Sequence, residues 1–321
     1  MENPSLPSVD VVMATRNRAD LVPVAVNSLL ASTGVALTIW IVDQSNNDET
    51  ERVVQALASQ DARVRYQHSA TPGLSISQNI GSSLGTAPYI LYTDDDCRAD
   101  PGWAAAMVDV LRDEAIWAVF GRIHEDEVTP PTQATPAEAI PGVRLAVKMS
   151  TTPVLYHRNR FNLGFGHGAS MGLRREVWQR VGGFDEALGA GGPLRSWNDR
   201  DIGYRILSLG GQIAYVPQAL VYHRQWRDWP AVQRTFRNYG IGAGATAMKY
   251  LRYGDLGGFV LLFEWLLSQG VRQILAGVIK WRSWQKTAIG LQQLVMPWYG
   301  MWLGWRVPLS REHRVYLVGK R

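Results

Sequence analysis

The sequence of 321 residues contains one cysteine, Cys97, which excludes an intrachain disulfide and fits a reducing compartment. Its first residues lack a basic stretch followed by a long apolar run, so no secretory signal is expected. Tandem repeats are absent as well. With 46% hydrophobic and 19% charged residues, the chain has the composition of a globular protein and enough length to bury a large core.

Charge is distributed unevenly along the chain. Residues 224–321 hold 15 Lys and Arg against 4 Asp and Glu, whereas residues 1–223 hold 18 against 24. Eight of the 13 Trp also follow residue 223. An acidic first part and a basic, Trp-rich last part indicate a metal and nucleotide site joined to a segment that contacts an anionic surface.

Apolar runs of strand length alternate with helix-length segments in the first part of the chain. Strands are predicted at 9–14, 37–42, 64–66, 89–93, 116–120 and 213–216, and residues 221–223 close this region. Helices are predicted at about 21–31, 49–59, 73–84, 101–112, 174–181 and 199–209. This alternation is typical of a doubly wound α/β sheet, which binds ligands at the carboxyl ends of its strands. Because Thr15, Asp43 and Asp94 stand at such ends, we expect them at one edge of the sheet.

Two further local features give more specific predictions. Asp20 is predicted to cap the first helix, because a carboxylate accepts hydrogen bonds from the free N–H groups of a first turn. Residues 161–172 and 189–197 are rich in glycine and are predicted as loops in which the backbone approaches a ligand.

Three consecutive carboxylates, Asp94, Asp95 and Asp96, follow the strand 89–93. Adjacent like charges repel each other, so a fold that places them at a strand end needs a neutralising partner. Mg²⁺ or Mn²⁺ meets that need, and Asp94 and Asp96 can both reach one ion. The alternative is a solvated acidic turn.

Seven motifs follow one another in the chain. They are Thr15-Arg16-Asn17-Arg18, Val42-Asp43-x-Ser45-x-x-Asp48, Gly73-Leu74-Ser75-x-x-x-Asn79-x-Gly81, Asp94-Asp95-Asp96, Gly182-Gly183-Phe184-Asp185-Glu186, Asn198-Asp199-x-Asp201-x-x-x-Arg205, and a strand that leads to His223. In this order they resemble the family 2 glycosyltransferases with the GT-A fold, over about residues 8–225.

The resemblance implies an α/β fold, a GT-A type, Rossmann-like doubly wound mixed sheet, in a catalytic domain at residues 1–225. Its nucleotide-sugar-binding half covers about 8–123 and its acceptor half about 124–225. Residues 226–321 match nothing in the family and are predicted as a helical, basic, Trp-rich extension. The implied reaction moves a sugar, with inversion, from a nucleotide-diphosphate-sugar of UDP or dTDP type to a saccharide or lipid-linked acceptor. The implied setting is cell-envelope polysaccharide or glycolipid synthesis.

The resemblance also assigns roles on the donor side. Thr15, Arg16 and Asp43 match nucleoside-binding positions, and a carboxylate at 43 can accept hydrogen bonds from a base N–H or a ribose hydroxyl. Asn79 and Asp95 are further donor-side candidates, and the alternative for Asp95 is a role in orienting the turn. The alternative for Asp43 is a capping or turn residue. Gln78 departs from the family, since many relatives carry Arg there. A charged contact to the nucleotide is then either missing or supplied elsewhere, for example by Arg16.

For the metal, the resemblance implies Asp96 as the principal ligand and Asp94 as a contact to ribose or metal. His223 matches a histidine that ligates metal in part of the family, and its alternative is a structural role. An imidazole with two carboxylates suits Mn²⁺ somewhat better than Mg²⁺.

For the acceptor, the resemblance implies Asp199 as the general base that takes the hydroxyl proton. The alternative is a helix N-cap, and Asp201 is the second candidate for the base. Asn198 departs from the acidic residue that the family carries there. Gly191, Trp197 and Asn198 are candidates for contact with the donor sugar or acceptor, and the alternative for Trp197 is core packing.

The last hundred residues combine helical patterns with many Trp residues beside apolar runs. The apolar segment 256–279 is interrupted by charge, and the uncharged segment 287–305 contains Pro297. A spanning helix needs about 20 apolar residues, so an interfacial segment on a membrane surface is favoured over a span. Packing on the catalytic domain or in a homo-oligomer is the alternative. We therefore expect a cytoplasmic protein, peripheral on the inner face of the cell membrane, without nucleic-acid binding.

Two other functional classes fit parts of the pattern. A nucleotidyltransferase shares this type of sheet and an acidic metal site, but it usually carries a glycine-rich loop after the first strand, and residues 15–20 contain no glycine. A degenerate transferase fold that serves as a scaffold is favoured only by Asn198 and Gln78.

Overall fold

A computed structural model describes residues 6–126, 143, 145–225, 227–310 and 312–318. The chain divides into two compact units. The first consists of Met1–Val128, Ala146–Phe184 and Ile202–Arg224, and the second of Thr129–Leu145, Asp185–Asp201 and Gln225–Arg321. The domain boundary predicted at residues 225 and 226 stays a prediction.

The strands in the described residues are β1 (Ser8–Thr15), β2 (Ala36–Asp43), β3 (Val64–His68), β4 (Tyr89–Asp94), β5 (Cys97–Ala99), β6 (Ile116–Glu125), β7 (Val154–Tyr156), β8 (Ser170–Arg174), β9 (Gln212–His223), β10 (Leu309–Ser310) and β11 (Val315–Tyr316). The α-helices are α1 (Val22–Leu30), α2 (Glu49–Gln60), α3 (Leu74–Leu84), α4 (Trp103–Leu111), α5 (Arg175–Arg180), α6 (Asn198–Ser208), α7 (Trp229–Arg252), α8 (Gly257–Trp265), α9 (Arg272–Leu275) and α10 (Trp284–Arg306). Two π-helical segments, Leu266–Val271 and Ala276–Lys280, flank α9.

Nine of the described strands form one mixed sheet. Its order is β3-β2-β1-β4-β8-β6-β9-β5, with β7 paired to β9. Strand β1 lies parallel to β2 and β4, whereas β8 is antiparallel to both β4 and β6. The apolar side chains of β1 and β2 are buried on both faces of the sheet, as parallel strands covered by helices require. The predicted α/β doubly wound mixed sheet and helical C-terminal part are thus confirmed.

The prediction of a loop at residues 161–172 is wrong at its end, because β8 begins at Ser170. The strand was missed because Gly172 interrupts its apolar pattern. This glycine has a packing role. A Cβ built at Gly172 would lie 2.6 Å from Leu91 Cδ2 and 2.9 Å from Val119 Cγ2, so only glycine fits between the side chains of β4 and β6.

Two other local predictions differ from the structure. The strand predicted at 213–216 is longer in the structure, where β9 continues to His223, and its register against β6 shifts between Gly121 and Arg122. This irregularity accommodates Pro217, which has no N–H for a regular ladder. Asp20 does not cap α1: the helix begins at Val22 after Leu21, and no side chain makes a capping hydrogen bond.

The second unit is mainly helical. Helices α7 and α10 pack closely through glycine: a Cβ at Gly244 would collide with the carbonyl oxygen of Pro297, and one at Gly300 with that of Ile241. In the part of the chain that the structure describes, Gly257–Lys280 is a helix long and apolar enough to cross a membrane, judged by length and composition, and 22% of its apolar window is buried.

A buried ion cluster lies in the centre of the second unit. The ammonium group of Lys249 on α7 lies 2.8 Å from Asp185 Oδ2 and 2.5 Å from Asp201 Oδ1, and all three side chains are fully buried. The hydroxyl of Tyr250 donates to Asp201 Oδ1, and the backbone N–H of Tyr316 donates to Asp185 Oδ2. Burial raises the pKa of Asp185, and the Lys249 charge opposes that shift. Lys249 therefore contributes a positive charge that both of these carboxylates share.

Replacing Lys249 with Met should lower the free energy of unfolding by about 3–5 kcal/mol, because two buried carboxylates then lose their cation. Chemical denaturation followed by circular dichroism measures this loss. The control Arg52→Met breaks an exposed pair with Asp48 and should cost under about 1 kcal/mol. Equal losses in the two variants would contradict the assignment.

Candidate functional site

Three functional candidates of the first unit lie at the carboxyl ends of adjacent parallel strands. The register of β1 and β2 places Thr15 opposite Asp43, and that of β1 and β4 places Ala14 opposite Asp94. The expectation that Thr15, Asp43 and Asp94 share one edge of the sheet is confirmed. We call this edge the carboxyl edge.

The three carboxylates of the acidic triplet have different surroundings. Asp95 is buried and accepts hydrogen bonds from the hydroxyl of Thr15 at 2.8 Å and the guanidinium of Arg18 at 2.8 Å. Asp96 Oδ2 lies 3.4 Å from the same guanidinium, and its Oδ1 lies 3.4 Å from His223 Nε2. Arg18 therefore joins the triplet, while the side chain of Arg16 is exposed. The sequence prediction chose Arg16, and Arg18 could have been found as the other cation of the same turn.

Burial raises the pKa of two carboxylates of this triplet, those of Asp94 and Asp95. Desolvation, reinforced by the charge of Asp96, raises the pKa of Asp94 to about 7. Desolvation also raises the pKa of Asp95 to about 6, although the Arg18 charge opposes that shift. One nearby guanidinium does not fully compensate three carboxylates, so the carboxyl edge favours a further cation.

A cluster of four metal-binding groups lies beside the triplet. Strand β5 pairs with the end of β9, so Cys97 stands directly opposite His223. One oxygen each of Asp94 and Asp96, the sulfur of Cys97 and a ring nitrogen of His223 all lie within 4.8 Å of one another. We call these residues the four-donor cluster. Carboxylate and imidazole donors fit a divalent ion such as Mn²⁺.

Cys97 is the member of the cluster that the sequence prediction missed. Its side chain is 3% exposed, and burial raises the pKa of the thiol. Its position next to Asp96 could have suggested it, but only the pairing of β5 with β9 brings it to His223.

Asp43 is fully buried, and protein groups contact both of its oxygens. The backbone N–H of Ser45 donates to Oδ1 at 2.8 Å, and the hydroxyl of Tyr66 donates to Oδ2 at 3.1 Å. Burial and the Asp43 charge together raise the pKa of Tyr66. The carboxylate thus organises the turn after β2, and its contact with a nucleoside stays a prediction.

Asn79 on α3 makes two hydrogen bonds with one residue. Its amide donates to the Phe184 carbonyl at 2.9 Å, and its Oδ1 accepts from the Phe184 N–H at 2.8 Å. This pair ties α3 to the chain after Gly182 and Gly183, which have φ angles of 75° and 70°. The structure therefore gives Asn79 a structural role, and its contact with a nucleotide stays a prediction.

The acceptor-side candidates belong to the second unit. Asp199 is partly buried in the first turn of α6, and its Oδ1 accepts from the Arg200 N–H at 2.8 Å. Asn198 is 6% exposed, and Gly191 is exposed with a φ of 79°. Asp201 is fully buried in contact with Lys249, which argues against it as a base that meets a substrate.

Trp197 is 5% exposed and packs edge-on against Trp265, with ring centroids 5.1 Å apart. Its backbone φ is 78°, a conformation that few non-glycine residues adopt. The guanidinium of Arg200 lies 5.6 Å from the Trp197 ring centroid. The packing role predicted as the alternative is observed, and stacking on a sugar stays a prediction.

Comparison with known proteins identifies relatives of this chain. The family model described as "Glycosyl transferase family 2" matches residues 10–182, which is more than half of the sequence. A glucosyl-dolichyl phosphate glucuronosyltransferase from Haloferax volcanii is 27% identical over 241 residues, 72% of this chain and 75% of the relative. The succinoglycan biosynthesis protein ExoO from Rhizobium meliloti is 26% identical, over 86% of this chain and 81% of the relative.

A pre-mycofactocin glycosyltransferase from Mycobacterium tuberculosis is 27% identical over 77% of this chain, and the match spans about half of that relative, 49% of its length. Among solved structures, a mannosyltransferase from Pyrobaculum calidifontis in complex with GDP-Man and Mn²⁺ has a TM-score of 0.60. The similarity covers 93% of this chain and 88% of that one at 15% identity, so it supports the fold.

Replacing Asp96 with Asn should weaken Mn²⁺ binding at least about tenfold, because the neutral amide is a poorer ligand than the carboxylate. Isothermal titration calorimetry with Mn²⁺ alone measures the affinity without any turnover. The control Asp109→Asn makes the same change on the exposed side of α4 and should leave the affinity unchanged. Wild-type affinity in Asp96→Asn would contradict the four-donor cluster as the metal site.

Proposed function

The chain belongs to glycosyl transferase family 2, and on that premise we propose that it moves a sugar from a nucleotide-diphosphate-sugar donor to an acceptor hydroxyl, with inversion at the anomeric carbon. The observation that carries this proposal is the four-donor cluster at the carboxyl edge, where Asp94, Asp96 and His223 converge within 4.8 Å. A strand end of this kind is where α/β sheets bind their ligands.

Asp94, Asp96 and His223 would hold a divalent cation, with the thiol of Cys97 as a fourth donor. Such a cation stabilises the negative charge that develops on a leaving diphosphate. Arg18 holds Asp95 and Asp96 through its guanidinium and keeps a positive charge beside them. Thr15 orients Asp95 by hydrogen bonding and leaves Asp94 and Asp96 to the cation.

Asp199 is the proposed general base. It takes the proton of the acceptor hydroxyl while the hydroxyl oxygen attacks the anomeric carbon and the bond from that carbon to the diphosphate breaks. Support comes from its match to the base position of the family and from its position in the first turn of α6. The buried ion pair of Asp201 with Lys249 also supports Asp199 over Asp201 as the base.

The donor base and the acceptor are proposed by class. The sequence favours a donor of UDP or dTDP type, whereas the solved relative contains GDP-Man, so both types belong in a test. A lipid-linked or saccharide acceptor is supported by the names of the haloarchaeal and rhizobial relatives.

The transfer reaction is tested by incubating the chain with a panel of UDP-, dTDP- and GDP-sugars, Mn²⁺ and membrane extract. Release of nucleoside diphosphate from one donor is expected, measured by mass spectrometry. Asp199→Asn should lower kcat about 10²–10⁴-fold with little change in donor affinity, because only proton removal is lost.

Three outcomes contradict parts of this proposal. Undiminished turnover by Asp199→Asn would overturn its role as the base. Absence of metal-dependent release across the whole panel would favour a scaffold protein without activity. Transfer of a nucleotidyl group in place of the sugar would instead identify a nucleotidyltransferase.

We further propose that the second unit contacts a membrane surface. Helix α8 and the segments after it expose large apolar side chains, among them Phe259 at 58%, Phe263 at 64% and Ile279 at 72%. On α10, Trp298, Trp302 and Trp305 are also exposed. Trp beside basic residues is typical of helices in the interfacial region of a bilayer.

Replacing Phe259 and Phe263 with Gln should reduce binding to neutral phosphatidylcholine vesicles about tenfold or more, because burial of two phenyl rings drives insertion. Vesicle co-sedimentation measures the bound fraction. Leu209→Gln, at a site 51% exposed in the first unit, is the control and should bind normally. A homodimer in ultracentrifugation, with vesicle binding unaffected by the double variant, would instead indicate a second subunit on this face.

A further inference from the structure

A basic cavity of 410 Å³ lies in the second unit between the helical residues 268–281 and the start of α10. Three cationic side chains line it, those of Arg272, Lys280 and Lys286. Hydrogen-bonding groups of Ser268, Gln269 and Gln273 complete the polar wall. None of the described residues that line the basic cavity is Asp or Glu.

The placement of Lys286 makes this cavity different from a solvated basic surface. Lys286 as a whole residue is 7% exposed, whereas Arg272 and Lys280 are exposed. Burial, with the neighbouring charge of Lys280, lowers the pKa of Lys286. Cations that converge in a partly closed space repel each other, and a bound anion would offset that repulsion.

Local backbone structure also favours an anion here. Lys286 stands in the first turn of the 23-residue helix α10, where Ser283 Oγ accepts from the Lys286 N–H. A helix N-terminus carries partial positive charge and adds to the field of the lysines. The ammonium groups of Lys280 and Lys286 lie 5.3 Å and 6.0 Å from the ring centroid of Trp281, which is 42% exposed.

The surroundings of the basic cavity are apolar. The same helical segment exposes Val271, Leu275, Val278 and Ile279, with exposed fractions from 39% to 72%. A soluble anion would leave these side chains in water. An anion attached to hydrocarbon would cover them while its charged group entered the cavity.

We propose that the basic cavity binds the phosphate group of a membrane lipid through Arg272, Lys280 and Lys286. The lipid chains then lie against the exposed apolar side chains of residues 271–279. This site is independent of the proposed transferase chemistry and of the metal site, so each can fail without the other.

The test uses the full chain and vesicles of phosphatidylcholine with or without phosphatidic acid. Phosphatidic acid should increase binding of the wild type. Lys280→Gln with Lys286→Gln should reduce this increase about tenfold or more and leave binding to phosphatidylcholine alone unchanged. The matched control Arg234→Gln with Arg237→Gln removes the same charge from exposed positions of α7 and should retain the increase.

Arg272→Gln provides a second variant, since its side chain is exposed and its loss should not disturb folding. It should also reduce the phosphatidic acid effect, with an unchanged melting temperature. Equal losses in the Lys280/Lys286 and Arg234/Arg237 variants would show general charge attraction and overturn the proposal. Millimolar inorganic phosphate provides the last test. If it saturates the cavity without displacing the protein from the vesicles, the bound phosphate group does not belong to a membrane lipid and the proposal is overturned.

Discussion

The compensation of buried negative charge at the carboxyl edge is the constraint on which the first unit depends. Strands β1 and β4 bring Asp94, Asp95 and Asp96 to a place where water does not fully solvate them, and this desolvation raises the pKa of Asp94 and of Asp95. Thr15 and Arg18 stabilise part of the charge. The remaining negative charge supports the proposal that the carboxyl edge binds a cation.

The second unit shows two different solutions to buried charge. Lys249 is paired with the carboxylates of Asp185 and Asp201, and the Tyr250 hydroxyl donates to Asp201, so the charge is satisfied within the unit and serves stability. Lys286 and its neighbours line a cavity without a lining carboxylate among the described residues. The first arrangement therefore indicates a role in stability, whereas the cationic lining of the cavity supports the proposed anion site.

Sequence patterns predicted the long elements well, because a strand buried on both faces and an amphipathic helix each impose a period on the chain. They failed at positions where the residue type is required by a contact with a residue distant in the chain. Gly172 belongs to a central strand because Leu91 and Val119 leave no room for a side chain. Asp201 is suitable for catalysis by residue type, but only the fold shows that its carboxylate forms an ion pair with Lys249.

By itself, the sequence determined the order of most of the long strands and helices, the polar residues at the ends of β1, β2 and β4, and the family to which the motifs belong. All of these follow from residues close together in the chain. The tertiary structure alone decided that Arg18 and not Arg16 joins the triplet, that Cys97 stands beside His223, and that Asp185, Asp201 and Lys249 meet. Those contacts join residues as many as 126 positions apart in the chain. Strand pairing and helix packing bring such residues together, and a local sequence pattern does not indicate which distant side chain will be the partner.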